Sequence, residues 1–391
     1  MKPKILFLKH TGIQINSWFV ELGVELSKIY GPSLMYTDIE SDLEVGNLKI
    51  LAAPPYSRKS YLSRLLSWFR YFIGSIIVTW RTSAVTPLFI VAQPPYLPII
   101  GFIRNLIYGQ RYMVWIDDVY PDVVVRKGLL KDKNPIIMLW KILNKLMYRR
   151  AQFVTTLGPC MRELVFQYVD SKEGGGDVII IPTWVDPTVI KPFKKNKNPF
   201  ALKYGQVDKL TVLYSGNFGV SHDIESIFAV AEQLQKYKDI HFMMIGDGAK
   251  FHLVKEASRR FNNITSVPFQ PEEMLPYSLS CADIAIVTLD SGYEGISMPS
   301  KTYYMMAAGA ALLGISETPS DLQFVIERYK CGINVQPGDV SSFVDFVLEL
   351  RENQSLITSY RNNSRQAAEL VFSKKINTEK ISKMIRKMLP G

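Results

Sequence analysis

Short apolar runs that alternate with longer helix-like segments are the feature that most constrains the fold of this chain. The runs predicted as strands are residues 4–8, 88–92, 112–116, 153–156, 210–214, 241–245, 264–267, 284–287 and 311–314. This alternation is typical of parallel sheets whose strands are connected by crossover helices. The sequence therefore predicts an α/β protein with two doubly wound, Rossmann-like domains.

The length of the chain and a proline- and lysine-rich segment near its centre predict the domain boundaries. A chain of 391 residues exceeds the usual size of one domain. We predict domains at residues 1–185 and 206–372, a linker at 186–205, and a basic helix at 373–391 that packs back toward the first domain. Because open α/β sheets bind ligands beyond the carboxyl ends of their strands, we expect the domains to face each other across a cleft.

The composition is that of a globular protein without a metal site. No apolar run approaches the roughly twenty residues that span a bilayer, and the N-terminus lacks the pattern of a signal peptide, so we expect a cytoplasmic protein. Cys160, Cys281 and Cys331 are far apart, and the four histidines form no metal-ligand pair at helical spacing. We expect no metal and no cofactor.

Basic side chains are concentrated in the first half of the chain. Residues 1–200 contain 26 Lys and Arg against 15 Asp and Glu, whereas residues 201–391 contain 20 against 21. Residues 56–150 alone contain 15 basic and 4 acidic side chains, which is the whole excess. An anionic partner is expected to face this region.

Residues 57–70 combine apolar and basic side chains at helical spacing. Arg58, Lys59 and Arg64, with the adjacent Trp68 and Phe69, suit a helix that lies on an anionic membrane surface. A helix packed on its own domain would show the same pattern, and this alternative stays open. Further basic clusters at 126–133 and 141–150 favour the membrane. We therefore expect a peripheral protein at the inner face of the plasma membrane.

Two motifs in the second half predict a phosphate site. In residues 298–309, Ser300 is a favourable N-cap, Gly309 a favourable C-cap, and Lys301 a cation in the first helical turn. Free N–H groups and the helix dipole attract phosphate oxygens at such a terminus. A glycine-rich turn, Tyr214-Ser215-Gly216-Asn217-Phe218-Gly219, directly follows a predicted strand. A capped helix with a solvated lysine is the alternative, but two such turns in one domain favour a diphosphate ligand.

Together with the glycine loop at Gly12 and the loop Gly246-Asp247-Gly248, these motifs resemble the GT-B glycosyltransferases, and more narrowly glycosyltransferase family 4. The match covers almost the whole chain. It implies that the second domain binds a nucleoside diphosphate sugar, for which we predict a UDP-sugar. It also implies that the first domain binds a lipid-linked or glycolipid acceptor in bacterial surface polysaccharide assembly. Transfer with retention would follow, with the leaving diphosphate taking the acceptor proton.

The resemblance also implies a set of donor-binding residues. They are Gly12, Gly216, Asn217, His222, Gly246, Gly248, Phe269, Glu294, Ser300, Lys301 and Tyr304. The paired glutamates of many members fall here on Ile296 and Tyr304, so Glu294 is the candidate ribose contact. Asn217 replaces a frequent arginine, which leaves Lys301 as the main catalytic cation and His222 as a helper. Phe269 would line a base pocket or pack in the core.

Asp117 and Asp118 follow a predicted strand of the first domain. Both are candidate catalytic residues at the carboxyl edge of the sheet. Asp118 would contact a sugar or acceptor hydroxyl, or act as a general base if the enzyme inverts. Aspartates are also frequent in turns and N-caps, which is the alternative interpretation.

Three other functions are compatible with parts of the sequence. A sugar-nucleotide 2-epimerase shares the two-domain architecture, but the scarcity of histidine argues against it. A non-catalytic sugar-nucleotide binder would explain the missing glutamates. The basic charge would suit nucleic acid, yet no recognition helix or aromatic RNA-binding motif is present, so we expect no nucleic-acid partner.

Overall fold

The computed structural model describes residues 3–10, 18–57, 60–169, 177–219 and 222–390. The chain divides into two compact units. The first unit contains Met1–Pro182 and Thr378–Gly391, and the second contains Thr183–Asn377. Each unit is built around one β-sheet.

The first unit contains an eight-stranded sheet of order β3-β4-β2-β1-β5-β6-β7-β8. Its strands are β1 (Leu6–Lys9), β2 (Ser33–Thr37), β3 (Leu43–Val45), β4 (Leu48–Ala52), β5 (Leu88–Val91), β6 (Tyr112–Trp115), β7 (Phe153–Thr156) and β8 (Asp177–Ile180). Its helices are α1 (Trp18–Tyr30), α2 (Tyr61–Arg81), α3 (Pro98–Tyr108), α4 (Asp122–Arg126), α5 (Pro135–Arg150) and α6 (Pro159–Phe166). All pairs are parallel except β3 with β4. The central strands are buried and apolar, as expected when helices cover both faces of a sheet.

Two local features fix helices on this sheet. Ser60 caps α2 through a reciprocal pair of hydrogen bonds with Ser63, which satisfies two N–H groups of the first turn. The end of the chain returns to this unit, where the Tyr30 hydroxyl donates to the carbonyl of Ser382 at 2.7 Å. The Arg111 guanidinium donates to the carbonyl of Lys387 at 3.1 Å.

The second unit contains a six-stranded parallel sheet of order β11-β10-β9-β12-β13-β14. Its strands are β9 (Leu210–Asn217), β10 (Ile240–Asp247), β11 (Ile264–Val267), β12 (Ile284–Thr288), β13 (Ala311–Ile315) and β14 (Gly332–Val335). Its helices are α7 (Pro199–Lys203), α8 (Glu225–Leu234), α9 (Phe251–Arg260), α10 (Leu275–Ser280), α11 (Lys301–Ala307), α12 (Asp321–Tyr329), α13 (Val340–Glu352) and α14 (Gln354–Leu370), followed by α15 (Lys374–Met388), which crosses the boundary between the units.

The strand order of each sheet reverses at one point. The reversal lies between β1 and β5 in the first sheet and between β9 and β12 in the second. The connections on either side of such a point run in opposite directions and leave a crevice at the carboxyl ends of the two strands. These two crevices are the places where each fold is prepared to bind a ligand.

The predicted α/β architecture with two parallel-sheet domains is confirmed, and each of the nine predicted strands is present with its ends shifted by a few residues at most. Residues 186–205, predicted as a linker, lie inside the second unit. They contain α7, which the Asn198 side chain caps by accepting from the N–H groups of Phe200 and Ala201. Lys195 from the same segment forms an ion pair with the largely buried Asp283. No helix in the described ranges is long and apolar enough to span a bilayer.

We predict that Gly246→Ala destabilises the second unit far more than Gly205→Ala does. Both glycines have positive φ, but a Cβ on Gly246 would lie 1.8 Å from the carbonyl oxygen of Gly216, whereas a Cβ on Gly205 would meet nothing within 4 Å. The control should cost about 1–2 kcal/mol from backbone strain alone. Gly246→Ala should lose at least about 3 kcal/mol, because the paired strands must separate. Calorimetric melting temperatures measure the difference, and equal losses would contradict it.

Candidate active site

A cavity of about 390 Å³ opens at the carboxyl ends of β9 and β12, the reversal point of the second sheet. The end of β9, the segment after β12 and the start of α11 form its walls. Its lining residues are Ser215, Gly216, Asn217, His222, Thr288, Leu289, Asp290, Tyr293, Ser297, Pro299, Ser300 and Lys301. Both motifs predicted to bind a diphosphate therefore meet in one cavity.

The glycine-rich turn is held by the neighbouring strand. β9 and β10 stay paired up to Asn217 and Asp247. Beyond them the Phe218 N–H donates to the Asp247 carbonyl at 2.8 Å. Gly246 and Gly248 pack against the back of this turn, where any side chain would collide with β9 or with Phe218. These two glycines do not line the cavity, so the structure gives them a supporting position in place of the predicted donor contact.

Lys301 supplies the main positive charge on the wall of the cavity. Its Nζ lies 4.0 Å from the ring centroid of Tyr214, over the electron-rich face. Gly216 leaves the space beside it open, because a Cβ there would lie 3.7 Å from Nζ. Burial lowers the pKa of Lys301 to about 7, although the charge of Asp290 acts in the opposite direction. An anion in this cavity would stabilise the charged form and be bound by it.

His222 contributes hydrogen bonding to the same wall. Its Nδ1 lies 2.9 Å from the Tyr214 hydroxyl and 2.8 Å from the Asn217 carbonyl. Its Nε2 lies 3.5 Å from an oxygen of Asp290. Burial lowers the pKa of His222; Asp290 opposes that shift and Lys301 adds to it. His222 is therefore mostly neutral at pH 7, and Lys301 is the stronger candidate for an electrostatic contact to an anion.

The start of α11 differs from the predicted capped terminus. Ser300 has helical backbone angles, φ −60° and ψ −29°, and its hydroxyl makes no capping bond. The Thr302 hydroxyl donates to the carbonyl of Pro299 at 2.7 Å, a bond that does not involve the N–H groups that an N-cap side chain would satisfy. Ser300 is therefore at the N-cap position, as predicted, but its side chain does not cap the helix. Because α11 has only 7 residues, we attribute the attraction for an anion to the full charge of Lys301 and not to a helix dipole.

The end of α11 follows the prediction. Gly309 has φ +76°, its N–H donates to Met306, and the N–H of Ala310 donates to Met305. This pair of bonds is the Schellman arrangement that glycine favours at a helix end. Arg365 from α14 donates to the carbonyl of Ala307 at 2.7 Å, so the last turn is also held by a charged group. The helix that presents Lys301 is therefore fixed at its far end.

Among the predicted donor residues, the structure brings Gly216, Asn217, His222, Ser300 and Lys301 together. Others lie elsewhere. Glu294 and Tyr304 are half-buried and outside the cavity lining, and Phe269 is 57% exposed after β11, neither in this cavity nor in the core. Gly12 falls outside the described residues.

Two residues had no predicted role in the site. Tyr214, which is buried behind the cavity lining, supplies the ring beneath Lys301, and Asp290, which lines the cavity, supplies the carboxylate near His222. Asp290 comes two residues after β12, so it obeys the rule that selected Asp117 and Asp118, namely an acidic residue just beyond a buried strand. That rule would have found it.

In the first unit, Asp117 and Asp118 follow β6, as predicted. Asp117 accepts a hydrogen bond from the Trp115 indole at 2.7 Å and lies 3.8 Å from Nζ of the buried Lys9. Burial lowers the pKa of Lys9, and its attraction to Asp117 opposes that shift. Asp117 is thus held in an ion pair of the sheet edge, which suits a supporting role better than catalysis. Asp118 is half-buried beside it and stays the predicted substrate contact.

Within the described residues, no group of three His, Cys, Asp or Glu side chains is arranged to hold a metal ion.

A family model and two relatives with similar sequences all describe glycosyltransferases. The family described as "Glycosyl transferases group 1" matches residues 209–353. A "Probable glycosyltransferase WbjE" of Pseudomonas aeruginosa is 25% identical over 86% of this chain and 83% of its own length. A "Putative colanic acid biosynthesis glycosyl transferase WcaI" of Escherichia coli K12 is 24% identical over 94% and 92%.

Solved structures share the whole architecture. Sucrose-phosphate synthase of Thermosynechococcus elongatus superposes with a TM-score of 0.76 at 14% identity, over 99% of both chains. HepE of Anabaena in complex with UDP superposes with a TM-score of 0.70 at 12% identity, over 98% of this chain and 100% of its own. Two doubly wound domains in one chain are characteristic of the GT-B fold. With the family match and the two relatives, the chain is identified as a GT-B glycosyltransferase.

We predict that Lys301→Met stabilises the second unit in a pH-dependent manner. The pKa of Lys301 is about 7 in the fold against an ordinary 10.5, so the unfolded chain binds more protons between these values and wild-type stability rises with pH. The gain from Lys301→Met should be largest below pH 7 and fade toward pH 10. About 1 kcal/mol corresponds to about 2–4 °C in melting temperature for a domain of this size.

Calorimetry at pH 6, 8 and 9.5 tests this expectation. Lys238→Met is the matched control, because Lys238 is an exposed lysine of the same unit. The control should change the melting temperature equally at each pH. A Lys301 variant that behaves like the control would show that the ammonium is not desolvated.

Proposed function

We propose that this glycosyltransferase uses a nucleoside diphosphate sugar, and specifically a UDP-sugar, as donor. The observation that supports this most strongly is the Lys301 ammonium, which lies on the wall of a cavity beside an open glycine turn at the sheet's reversal point. Lys301 is half-buried, and a partly desolvated cation favours an anionic ligand. The UDP complex of the structurally similar HepE supports uracil as the base.

Lys301 would act on the leaving group. Charge accumulates on the diphosphate as its bond to the sugar breaks, and a cation that is already desolvated and positioned stabilises that charge. The diphosphate oxygen would accept the acceptor proton, so that the reaction proceeds with retention, as in glycosyltransferase family 4. Asp118 at the edge of the first sheet would contact a hydroxyl of the sugar or acceptor.

We predict that UDP and UDP-glucose stabilise the protein more than GDP or ADP conjugates do, and that Lys301→Met weakens this binding by at least about tenfold. A hydrogen bond to a charged group contributes about 1.5–3 kcal/mol, and about 1.4 kcal/mol corresponds to a factor of ten. Titration calorimetry gives the affinities, and thermal stabilisation gives the preference among bases.

The control for this experiment is again Lys238→Met, which should bind as the wild type does. Because Lys301→Met should also raise the melting temperature, a loss of affinity cannot be explained by loss of the fold. Unchanged donor affinity in Lys301→Met would remove Lys301 from the donor site. Stronger stabilisation by GDP or ADP would change the base assigned to the donor but would not contradict the position of the donor site.

We further propose that the acceptor is lipid-linked and reached at a membrane surface. The stripe of exposed apolar residues on α2 runs from Leu62 to Trp80 and includes Phe69, which is 59% exposed. α3 and α5 add exposed Leu106, Ile107, Ile136, Leu139 and Ile142. Together these positions form what we call the apolar face. Soluble proteins seldom leave so much contiguous apolar surface to water.

The charges of the apolar face fit an anionic bilayer. None of α2, α3 and α5 contains an acidic residue, whereas Arg70, Arg81 and Lys145 are exposed on them. Basic residues near an anionic surface contribute about 1 kcal/mol each. The name of the relative, which refers to colanic acid biosynthesis, supports an acceptor of the polysaccharide class. We propose that the protein reaches this acceptor at the inner face of the plasma membrane.

The residues predicted for this surface divide into three groups. Phe69 is exposed on it, Arg64 and Trp68 are half-buried, and Arg58 and Lys59 lie outside the described residues. The exposed stripe also extends to the end of α2, beyond the predicted segment 57–70.

We predict that replacing Arg70, Arg81 and Lys145 with Gln weakens binding to phosphatidylglycerol-containing vesicles by about a hundredfold, at about 1 kcal/mol per charge. Phe69→Ser with Ile77→Ser should weaken binding to anionic and neutral vesicles alike, because it removes apolar area. Vesicle co-sedimentation measures both. The exposed Lys236 and Arg259 of the second unit, changed to Gln, are the control and should have little effect. Equal retention of all variants would contradict the assignment.

A further inference from the structure

A row of half-exposed aromatic rings lies at the reversal point of the first sheet. It contains Tyr56, Trp68, Phe72 and Tyr96, which we call the aromatic wall. Ring centroids are 6.5 Å apart between Tyr56 and Trp68, 6.4 Å between Trp68 and Tyr96, and 5.2 Å between Phe72 and Tyr96. The planes of Tyr56 and Trp68 differ by 14°, while Tyr96 stands at 79° to Trp68. The rings therefore form a corner and not a flat patch.

The aromatic wall is assembled from the carboxyl ends of neighbouring strands. β4, β2, β1 and β5 are adjacent in the sheet, and the reversal point lies between β1 and β5. Tyr56 follows β4, Asp38 follows β2, His10 follows β1, and Tyr96 follows β5. Ligands of open α/β sheets bind at this kind of position. Convergence of polar and aromatic groups from these four strand ends indicates a binding site.

The support behind the wall is rigid. The N–H of Tyr56 donates to the Asp38 carboxylate at 2.7 Å. The Nε2 of the buried His10 donates to the Pro54 carbonyl at 2.9 Å, two residues before Tyr56. The His10 ring stacks on Tyr71 with centroids 4.2 Å apart and planes 8° apart. These contacts hold the Tyr56 segment in place before any ligand arrives.

The aromatic wall is distinct from the apolar face of α2. Trp68 and Phe72 each precede an exposed residue of that face, Phe69 and Ile73, by one position. Successive residues of a helix point about 100° apart, so the two rings lie along one side of the outward stripe and not at its centre. Their half-burial agrees with this direction. A membrane contact of the outward stripe would leave the wall available.

We propose that the aromatic wall binds the saccharide part of the acceptor. A pyranose ring presents apolar C–H faces that stack on Trp and Tyr rings and hydroxyls that need polar partners. Asp38 provides a carboxylate beside the rings, and the tyrosine hydroxyls provide further polar groups. An alkyl chain alone would not require them. This inference rests on the proposed glycosyltransfer to a glycolipid, and it names the site that takes the sugar of that acceptor.

Fluorine NMR on the full chain labelled with 5-fluorotryptophan tests the inference. The chain has 6 tryptophans, whose resonances single Trp→Phe replacements assign. The probes are methyl glycosides of glucose, galactose, mannose and N-acetylglucosamine, octyl β-glucoside below its micelle concentration, and octanol. At least one methyl glycoside should shift the Trp68 resonance saturably. Trp184, buried in the second unit, should not respond. Octanol should shift Trp80 on the apolar face.

Variants separate stacking from general effects. Tyr96→Leu should weaken the glycoside response of Trp68 by about fivefold to tenfold, the loss of roughly one ring contact. Tyr96→Phe should retain most of it, because the ring remains, and the unchanged Trp184 resonance of Tyr96→Leu checks that this variant is folded. Tyr108→Leu, at the exposed end of α3, is the control and should bind as the wild type does.

The failures of the two proposals are distinguishable on one sample. If UDP stabilises the protein but no glycoside shifts Trp68, the saccharide site is refuted and the donor site is not. If octanol or anionic vesicles shift Trp68 and glycosides do not, the wall belongs to the membrane contact and the inference is overturned. Absence of UDP binding with a saturable glycoside response would instead count against the proposed donor.

Discussion

The candidate active site depends on the close approach of two strand ends, β9 and β10. Their backbones remain paired through Gly216 and Gly246, at a separation that leaves no room for a Cβ on Gly246. This pairing determines where the chain turns at Asn217 and Phe218. This turn also holds Tyr214, because the Tyr214 hydroxyl donates to the Asn217 carbonyl at 2.8 Å. Because the Tyr214 ring lies beneath the Lys301 ammonium, a backbone contact of two glycines positions the main cation of the cavity.

Lys301 shows how function opposes stability in this domain. Desolvation of an ammonium costs free energy, and neither the Tyr214 ring nor Asp290 compensates for it fully, since the pKa of Lys301 falls to about 7. Lys195, elsewhere in the same unit, forms an ion pair with Asp283. In the proposed function, the diphosphate of the donor would supply the anion for Lys301.

The sequence predicted the strands better than the side-chain positions. Residues 153–156 and 264–267 were predicted with their observed bounds, because short apolar runs between polar segments have little alternative to a buried strand. β2, β3, β4, β8 and β14 were missed; β3 has an exposed residue between two half-buried ones, and β14 begins with a glycine. The glycine turn and Lys301 were found because local chemistry identifies them. Ser300 occupies the predicted N-cap position, but its helical backbone angles come without a capping bond from its side chain, and such angles are not determined by residue type alone.

The aromatic wall could not be predicted from any local sequence pattern. Its four rings come from three separate segments, and each ring alone has the appearance of an ordinary core residue. Only the order of strands brings the residues after β4 and β5 to one edge, with His10 and Asp38 between them. The same rule of strand order places Lys301 and Gly216 together in the second sheet. One reversal point therefore presents a cation and the other presents stacked rings. A cation suits the charged diphosphate of the proposed donor, and stacked rings suit the neutral sugar of the proposed acceptor. The chemistry of the two reversal points therefore matches the two proposed substrates of one transfer reaction.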